Sequence, residues 1–125
     1  MRAEAEDQGK YGELLVGNTV VNRVKAHCLD FADYNTVSQV IFQPHGFSCV
    51  LFSYFYQRPR EQEKRLALKA MKGLRFSPAE YSLYYYRPPN GQDCRAEWYG
   101  QYNVGRYKDH CFYKTLESTC PAIYQ

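Results

Sequence analysis

Leu14, Gly17, Val20, Val21 and Val24 recur at intervals of three and four. That period predicts an amphipathic helix over Tyr11 to His27, with Lys25 and His27 near its C-terminal end. Glycine inside a helix costs about 1 kcal/mol relative to alanine, so Gly17 is expected where the helix packs closely against a neighbour. Cys28 to Asn35 shows no period and reads as a loop. Thr36 supplies an N-cap for a short helix ending near Phe42, and Gln43-Pro44-His45-Gly46 breaks it. Phe47 to Tyr56 is apolar and aromatic, a pattern shared by a buried helix and a strand. Pro59 to Lys72 predicts a second clear helix, closed by Gly73. Its buried stripe is Leu66, Ala67, Ala70 and Met71. Arg60, Lys64, Arg65, Lys69 and Lys72 are expected on a solvated face.

Beyond Pro78-Ala79-Glu80 the pattern changes. Tyr81 to Arg87 reads as a tyrosine-rich strand, Pro88-Pro89-Asn90-Gly91 as a turn, and His110 to Lys114 as the partner strand. Helices followed by a small antiparallel sheet make an α+β order. The 125 residues suffice for one domain, and there is no repeat, linker or low-complexity tract.

Composition removes several classes of function. No run approaches the ~18 apolar residues of a membrane span. Met1 to Glu13 lacks the apolar core of a secretory signal. A net charge of +3, with no nucleic-acid-binding motif, gives no reason to expect a nucleic-acid partner. The five cysteines form no Cys-x-x-Cys pair and the three histidines fall at no zinc spacing, so neither a metal nor a cofactor is expected. An odd cysteine count without an export signal suggests synthesis in a reducing compartment, with disulfides possible later outside it. Thirteen tyrosines suit a sugar-stacking cleft, and equally a structural coat protein.

No nucleophile elbow, phosphate loop or dinucleotide fingerprint is present. What remains is an acidic cluster, Glu4, Glu6, Asp7 and Glu13, and a set of groups of the kind sugars bind: Asn35, Gln43, Ser48, Tyr84, Tyr85, Tyr86, Trp98 and Tyr99. A carboxyl group in an apolar cleft can protonate a glycosidic oxygen. Glutamates near a terminus are otherwise simply solvated.

Several blocks, in order, carry a resemblance. They are Glu4-Ala5, Gly12, Val16 to Val24, Asn35-Thr36-Val37, Val40-Ile41-Phe42-Gln43, His45-Gly46-Phe47-Ser48 and Ser82 to Tyr86. Trp98, Val104-Gly105-Arg106 and His110 to Tyr113 complete the series. Together they resemble the SleB/CwlJ spore cortex-lytic hydrolases. The short length and Cys28, Cys94, Cys111 and Cys120 look most like the CwlJ branch.

The resemblance implies a single lysozyme-like, lytic-transglycosylase-like domain over residues 1–125. Its substrate would be spore cortex peptidoglycan, which contains muramic-δ-lactam. The family's catalytic glutamate maps onto Glu4. A second acidic position that the family often has is Gln8 here, leaving Glu6, Asp7 and Glu13 as secondary candidates. Gln43, Phe47, Ser48, Tyr84, Tyr85, Tyr86, Trp98 and His110 would position the glycan, while Asn22 and Arg23 are expected to tie the helix to neighbouring carbonyls. The CwlJ branch further implies synthesis in the mother cell and deposition at the spore coat and cortex boundary, with a coat-anchoring protein as a further partner and pairing among the four cysteines. With three residues before Glu4, the domain is expected to lack the start of its first helix. Two alternatives stay open: hydrolytic cleavage as a glucosaminidase or muramidase, and an inactive coat protein.

Overall fold

The computed structural model describes residues 1–51 and 53–124, and of Ser48, Ser53 and Tyr54 the backbone alone. Four helices come first: α1 (Arg2–Ala5), α2 (Gly9–Ala26), α3 (Val37–Phe42) and α4 (Glu61–Met71). Four strands follow: β1 (Tyr84–Tyr86), β2 (Glu97–Trp98), β3 (Gln101–Tyr107) and β4 (His110–Lys114), in one antiparallel sheet of order β1-β4-β3-β2. The α+β order read from the chain is the observed one. Among the described residues no helix is long and apolar enough to cross a membrane.

Helix α2 is the hub. Leu14 packs with Leu66 and Ala70 of α4, Leu15 with Ala79 before the sheet and Phe112 within it, and Ala26 with Phe31, Leu83, Cys120 and Ile123. Each large side chain buried in this way contributes about 1.5–3 kcal/mol. At Gly17 an added Cβ would lie 3.0 Å from Met1 Cε and 3.4 Å from Ala70 Cβ, the close approach expected there.

Polar side chains of α2 hold the segment leading into the sheet. Asn18 donates to the Leu74 carbonyl and accepts from the Phe76 N–H. The Asn22 amide donates to the carbonyls of Ala79, Glu80 and Ser82, and Arg23 Nε to that of Leu83. Buried carbonyls that no helix or strand satisfies thus find donors on α2.

Four expectations need correction. Phe47 to Tyr56 is neither a long helix nor a strand; it holds two short 3-10 turns, Ser48–Leu51 and Ser53–Tyr56, with Leu51 and Tyr56 exposed. Leu66 and Ala70 are buried as expected, but Met71, the last residue of α4, is exposed. Arg60 is not merely solvated: it precedes α4 and pairs with Glu63, Glu6 and Glu13. The strand expected over Tyr81 to Arg87 is only Tyr84–Tyr86; its expected partner, His110–Lys114, does pair with it as β4, reached after the β2–β3 excursion.

Two disulfides tie loops to the buried Cys111 and Cys120. Cys28–Cys120 joins the end of α2 to the C-terminal turn, and Cys94–Cys111 ties the loop before β2 to β4. Cys49 is free.

Candidate active site

Strand β1 lies at a sheet edge, and strand alternation separates its tyrosines. Tyr85 faces Phe47, His110 and Phe112, while Tyr84 and Tyr86 face Trp98. Glu4 meets Tyr85 from across the fold. It sits on α1, a single turn anchored by the buried Ala5, whose N–H bonds the Met1 carbonyl.

The Glu4 carboxylate accepts the Tyr85 hydroxyl at 2.8 Å and also the Cys49 thiol. Burial, then the neighbouring Glu4, push the Tyr85 phenol well above its ordinary value. Burial, then the bond to Glu4, push the Cys49 thiol up to about 12. Both groups therefore keep their protons at neutral pH and serve Glu4 as neutral donors. His110, 6% exposed, lies with its ring 5.0 Å from that of Tyr85. Burial lowers its pKa, against the pull of Glu4 and Asp7, so it stands beside the carboxylate as neutral imidazole.

Glu4 stands at a boundary. On one side is an apolar hollow of about 140 Å³ lined by Val16, Val20, Ile41 and Phe47. On the other is a polar groove of about 350 Å³ lined by Arg23, Tyr85, Tyr86, Arg87 and His110, in which Glu4 is the sole carboxylate among the described residues. The groove shares Arg23, Gly46 and Tyr85 with a wider stretch of about 920 Å³, walled by Asp30, Gln43, Tyr84, Trp98, Tyr99 and Gln101. The two stretches form one cleft along the edge of the sheet.

Arg23 forms the floor where the stretches meet. Its guanidinium donates to the carbonyls of Leu83 and Gly46 and lies 5.0, 4.6 and 5.5 Å from the ring centres of Phe31, Phe47 and Tyr84. Burial lowers its pKa, yet an arginine stays charged in proteins, and the π-faces and carbonyls compensate the lost water. The residue is structural, as expected, and also lines the cleft.

Of the nine residues that the resemblance assigns to catalysis and glycan positioning, eight line this cleft: Glu4, Gln43, Phe47, Tyr84, Tyr85, Tyr86, Trp98 and His110. The side chain of the ninth, Ser48, lies outside the described residues. Of the two further sugar-binding candidates, Tyr99 lines the cleft and Asn35 is exposed outside it. Tyr84 donates to Asp30 and Gln43 donates to the Asp30 carbonyl. Tyr86 stacks on Tyr113 and its hydroxyl accepts from the Arg95 N–H. Cys49, Asp30 and Gln101 were missed; the first two are placed by contacts distant in sequence. The secondary acids are elsewhere. Glu13 is fully buried, bonded to Gln62 and paired with Arg60, with burial raising its pKa. Glu6 pairs with Arg2 and Arg60, and Asp7 with Arg87. Gln8 is buried and clamps Asp109 through its side-chain amide in both directions. Among the described residues no cluster of three His, Cys, Asp or Glu side chains offers a metal site.

Residues 7–113 match the model of the Cell Wall Hydrolase family. The chain belongs to that family. It is 52% identical over 125 residues to the cell wall hydrolase CwlJ of Halalkalibacterium halodurans, covering 99% of this chain and 86% of that one. To a spore cortex-lytic enzyme of Bacillus cereus it is 33% identical over 85 residues, 68% of this chain and 30% of the relative. Identity is thus higher to a CwlJ protein than to the longer cortex-lytic enzyme. Among solved structures, the catalytic domain of Bacillus cereus SleB superposes with a TM-score of 0.70 at 28% identity, covering 90% of this chain and 82% of that one. The catalytic domain of SleB from Bacillus anthracis, described as a germination-specific lytic transglycosylase, gives 0.68 at 29%, over 90% of this chain and 86% of that one. The lysozyme-like α+β domain implied by the resemblance is the fold this cell wall hydrolase shares with them.

Proposed function

We propose that this cell wall hydrolase cleaves the glycan strands of spore cortex peptidoglycan as a lytic transglycosylase, with Glu4 as its acid and base. The observation that carries the reading is the Glu4 carboxylate, the sole one in its groove among the described residues, held by the Tyr85 hydroxyl. Classical glycosidases flank the scissile bond with two carboxyl groups. A transglycosylase needs one, because the muramic 6-hydroxyl is the nucleophile. Protonated Glu4 gives its proton to the leaving glycosidic oxygen as the bond to the anomeric carbon breaks. The resulting carboxylate takes the proton of the 6-hydroxyl as that oxygen bonds the same carbon, closing a 1,6-anhydro ring. Glu4 ends protonated, and no water is consumed. An attacking group carried on the same sugar avoids the entropy cost of a second reactant.

Hydrolysis is the second reading, favoured by one observation: Asp30 lines the adjoining stretch of the cleft, hydrogen-bonded to Tyr84. Mass spectrometry of cortex digests separates the two. Anhydro-muramic ends support transglycosylation, and reducing ends with water incorporated support hydrolysis. The relatives' names support action on spore cortex during germination; the location at the spore coat and cortex boundary, with a coat-anchoring partner, is part of the same proposal.

A further inference from the structure

The end of the cleft remote from Glu4 is built by a tight hairpin. Trp98 on β2 and Gln101 on β3 are direct cross-strand partners, joined by Tyr99 and Gly100 at φ +50° and +75°. Positive φ at both loop positions is the geometry of a two-residue type I′ turn. Glycine adopts it freely; Tyr99 does so at a cost, and a strained non-glycine residue beside a cleft calls for a functional reason. The turn leaves the Tyr99 side chain 82% exposed, its ring centre 5.1 Å from that of Trp98.

Gln101 contrasts with its exposed neighbour. It is 5% exposed, and its Oε1 is buried with no hydrogen-bond partner. Gln43, across the same stretch of cleft, also has a buried, unpartnered Oε1, its amide nitrogen being committed to the Asp30 carbonyl. Buried acceptors without donors are uncommon in folded proteins because each costs the desolvation of a polar group. Two of them line one cleft, beside paired aromatic rings.

We infer that Trp98, Tyr99 and Gln101, with Gln43, form a second sugar subsite that grips the glycan strand one or more residues away from the scissile bond. The aromatic pair offers its faces to a pyranose ring. The carboxamide oxygens of Gln101 and Gln43 accept from the donors that an amino-sugar strand carries, hydroxyls and the N–H of N-acyl groups. The inference rests on the glycan-cleaving reading and adds a site that acts on binding and leaves the chemical step at Glu4 alone.

A remote subsite makes affinity depend on strand length, which a merely structural role for Gln101 would not. The probes are N-acetylglucosamine oligomers of two and six units, titrated calorimetrically into the native protein, Gln101→Leu and Gln101→Asn. The native protein is expected to bind the hexamer about tenfold more tightly than the dimer. Gln101→Leu should lose most of that increment, bind the dimer as native does, and raise KM on cortex fragments with kcat retained. Gln101→Asn, which keeps the amide but shortens its reach, should fall between the two. A length increment unchanged in both variants overturns the subsite, as does an equal loss for dimer and hexamer. Failure of the underlying reading looks different: native protein with an intact length increment that releases no cortex fragments.

Discussion

Tyr85 donates a hydrogen bond from its hydroxyl to Glu4 over 2.8 Å, bridging 81 positions of the chain and joining the first helical turn to the edge of the sheet. The pair converts a carboxylate on a four-residue helix into a positioned group. Neither partner is held by its own element alone. Glu4 depends on β1 for its orientation, and Tyr85 depends on packing against Phe47, His110 and Phe112.

Removing that donor is expected to slow catalysis without emptying the cleft. A hydrogen bond to a charged group is worth about 1.5–3 kcal/mol, so Tyr85→Phe should lower kcat roughly ten- to a hundredfold. The ring stays, so KM should hardly move, while the unfolding midpoint falls with the lost bond. Steady-state kinetics on soluble cortex fragments tests this; a kcat equal to native would show that Glu4 needs no such support.

The two disulfides should contribute unequally to stability. Cys28–Cys120 spans 92 positions and Cys94–Cys111 spans 17. Loop-closure entropy assigns about 4.5 kcal/mol to the longer loop and about 3 kcal/mol to the shorter. Urea unfolding of Cys28→Ala/Cys120→Ala and Cys94→Ala/Cys111→Ala measures the difference. Equal losses would mean that local packing, and not chain entropy, sets their contribution.

Stability should fall on mild acidification through His110. Burial depresses its pKa below the ordinary 6.5, so the unfolded chain takes up the proton first. The stabilisation is therefore whole above about pH 6.5 and is lost as pH drops towards the folded-state value. Thermal melts at pH 7.5 and 5.5 should differ for the native protein and differ less for His110→Phe. A variant with an undiminished pH slope would assign the effect to other groups.

Gly105 marks a place where the sheet tolerates no side chain. It lies at the β3 irregularity opposite Phe112, at φ +143°, and an added Cβ would come within 2.8 Å of Pro78 Cβ. Gly105→Ala is expected to destabilise by about 2 kcal/mol through strain and overlap. An unchanged melting temperature would contradict the close approach.

What was legible in the chain was what is local. Thr36 caps α3 through a reciprocal bond with Gln39, three residues on, and that short-range signal reads directly from sequence. The period of α2 placed the helix within a residue or two. Glu13 was unreadable, because its partners Gln62 and Arg60 arrive from α4 and the residue before it, and nothing local separates a buried glutamate from a solvated one. The apolar stretch after Pro44 has no period to read, since its turns take their shape from what they pack on. At the site, residue types and family resemblance together pointed to Gln43, the three tyrosines, Trp98 and His110. Cys49 and Asp30 carry no motif, and only the fold brings them to Glu4 and Tyr84. Gln101 had an unread signal: Tyr99-Gly100 as a two-residue hairpin loop would have set it opposite Trp98.

The central claim is that Glu4 transfers the proton, and Glu4→Gln tests it most directly. An amide keeps the size and accepts the Tyr85 hydroxyl but has no proton to give, and general acid–base catalysis contributes about 10²–10⁴-fold. Release of glycan fragments from purified cortex should fall by about a thousandfold, while glycan affinity and the unfolding midpoint stay near native. Near-native fragment release by the folded variant would contradict the assignment of Glu4 as the catalytic acid.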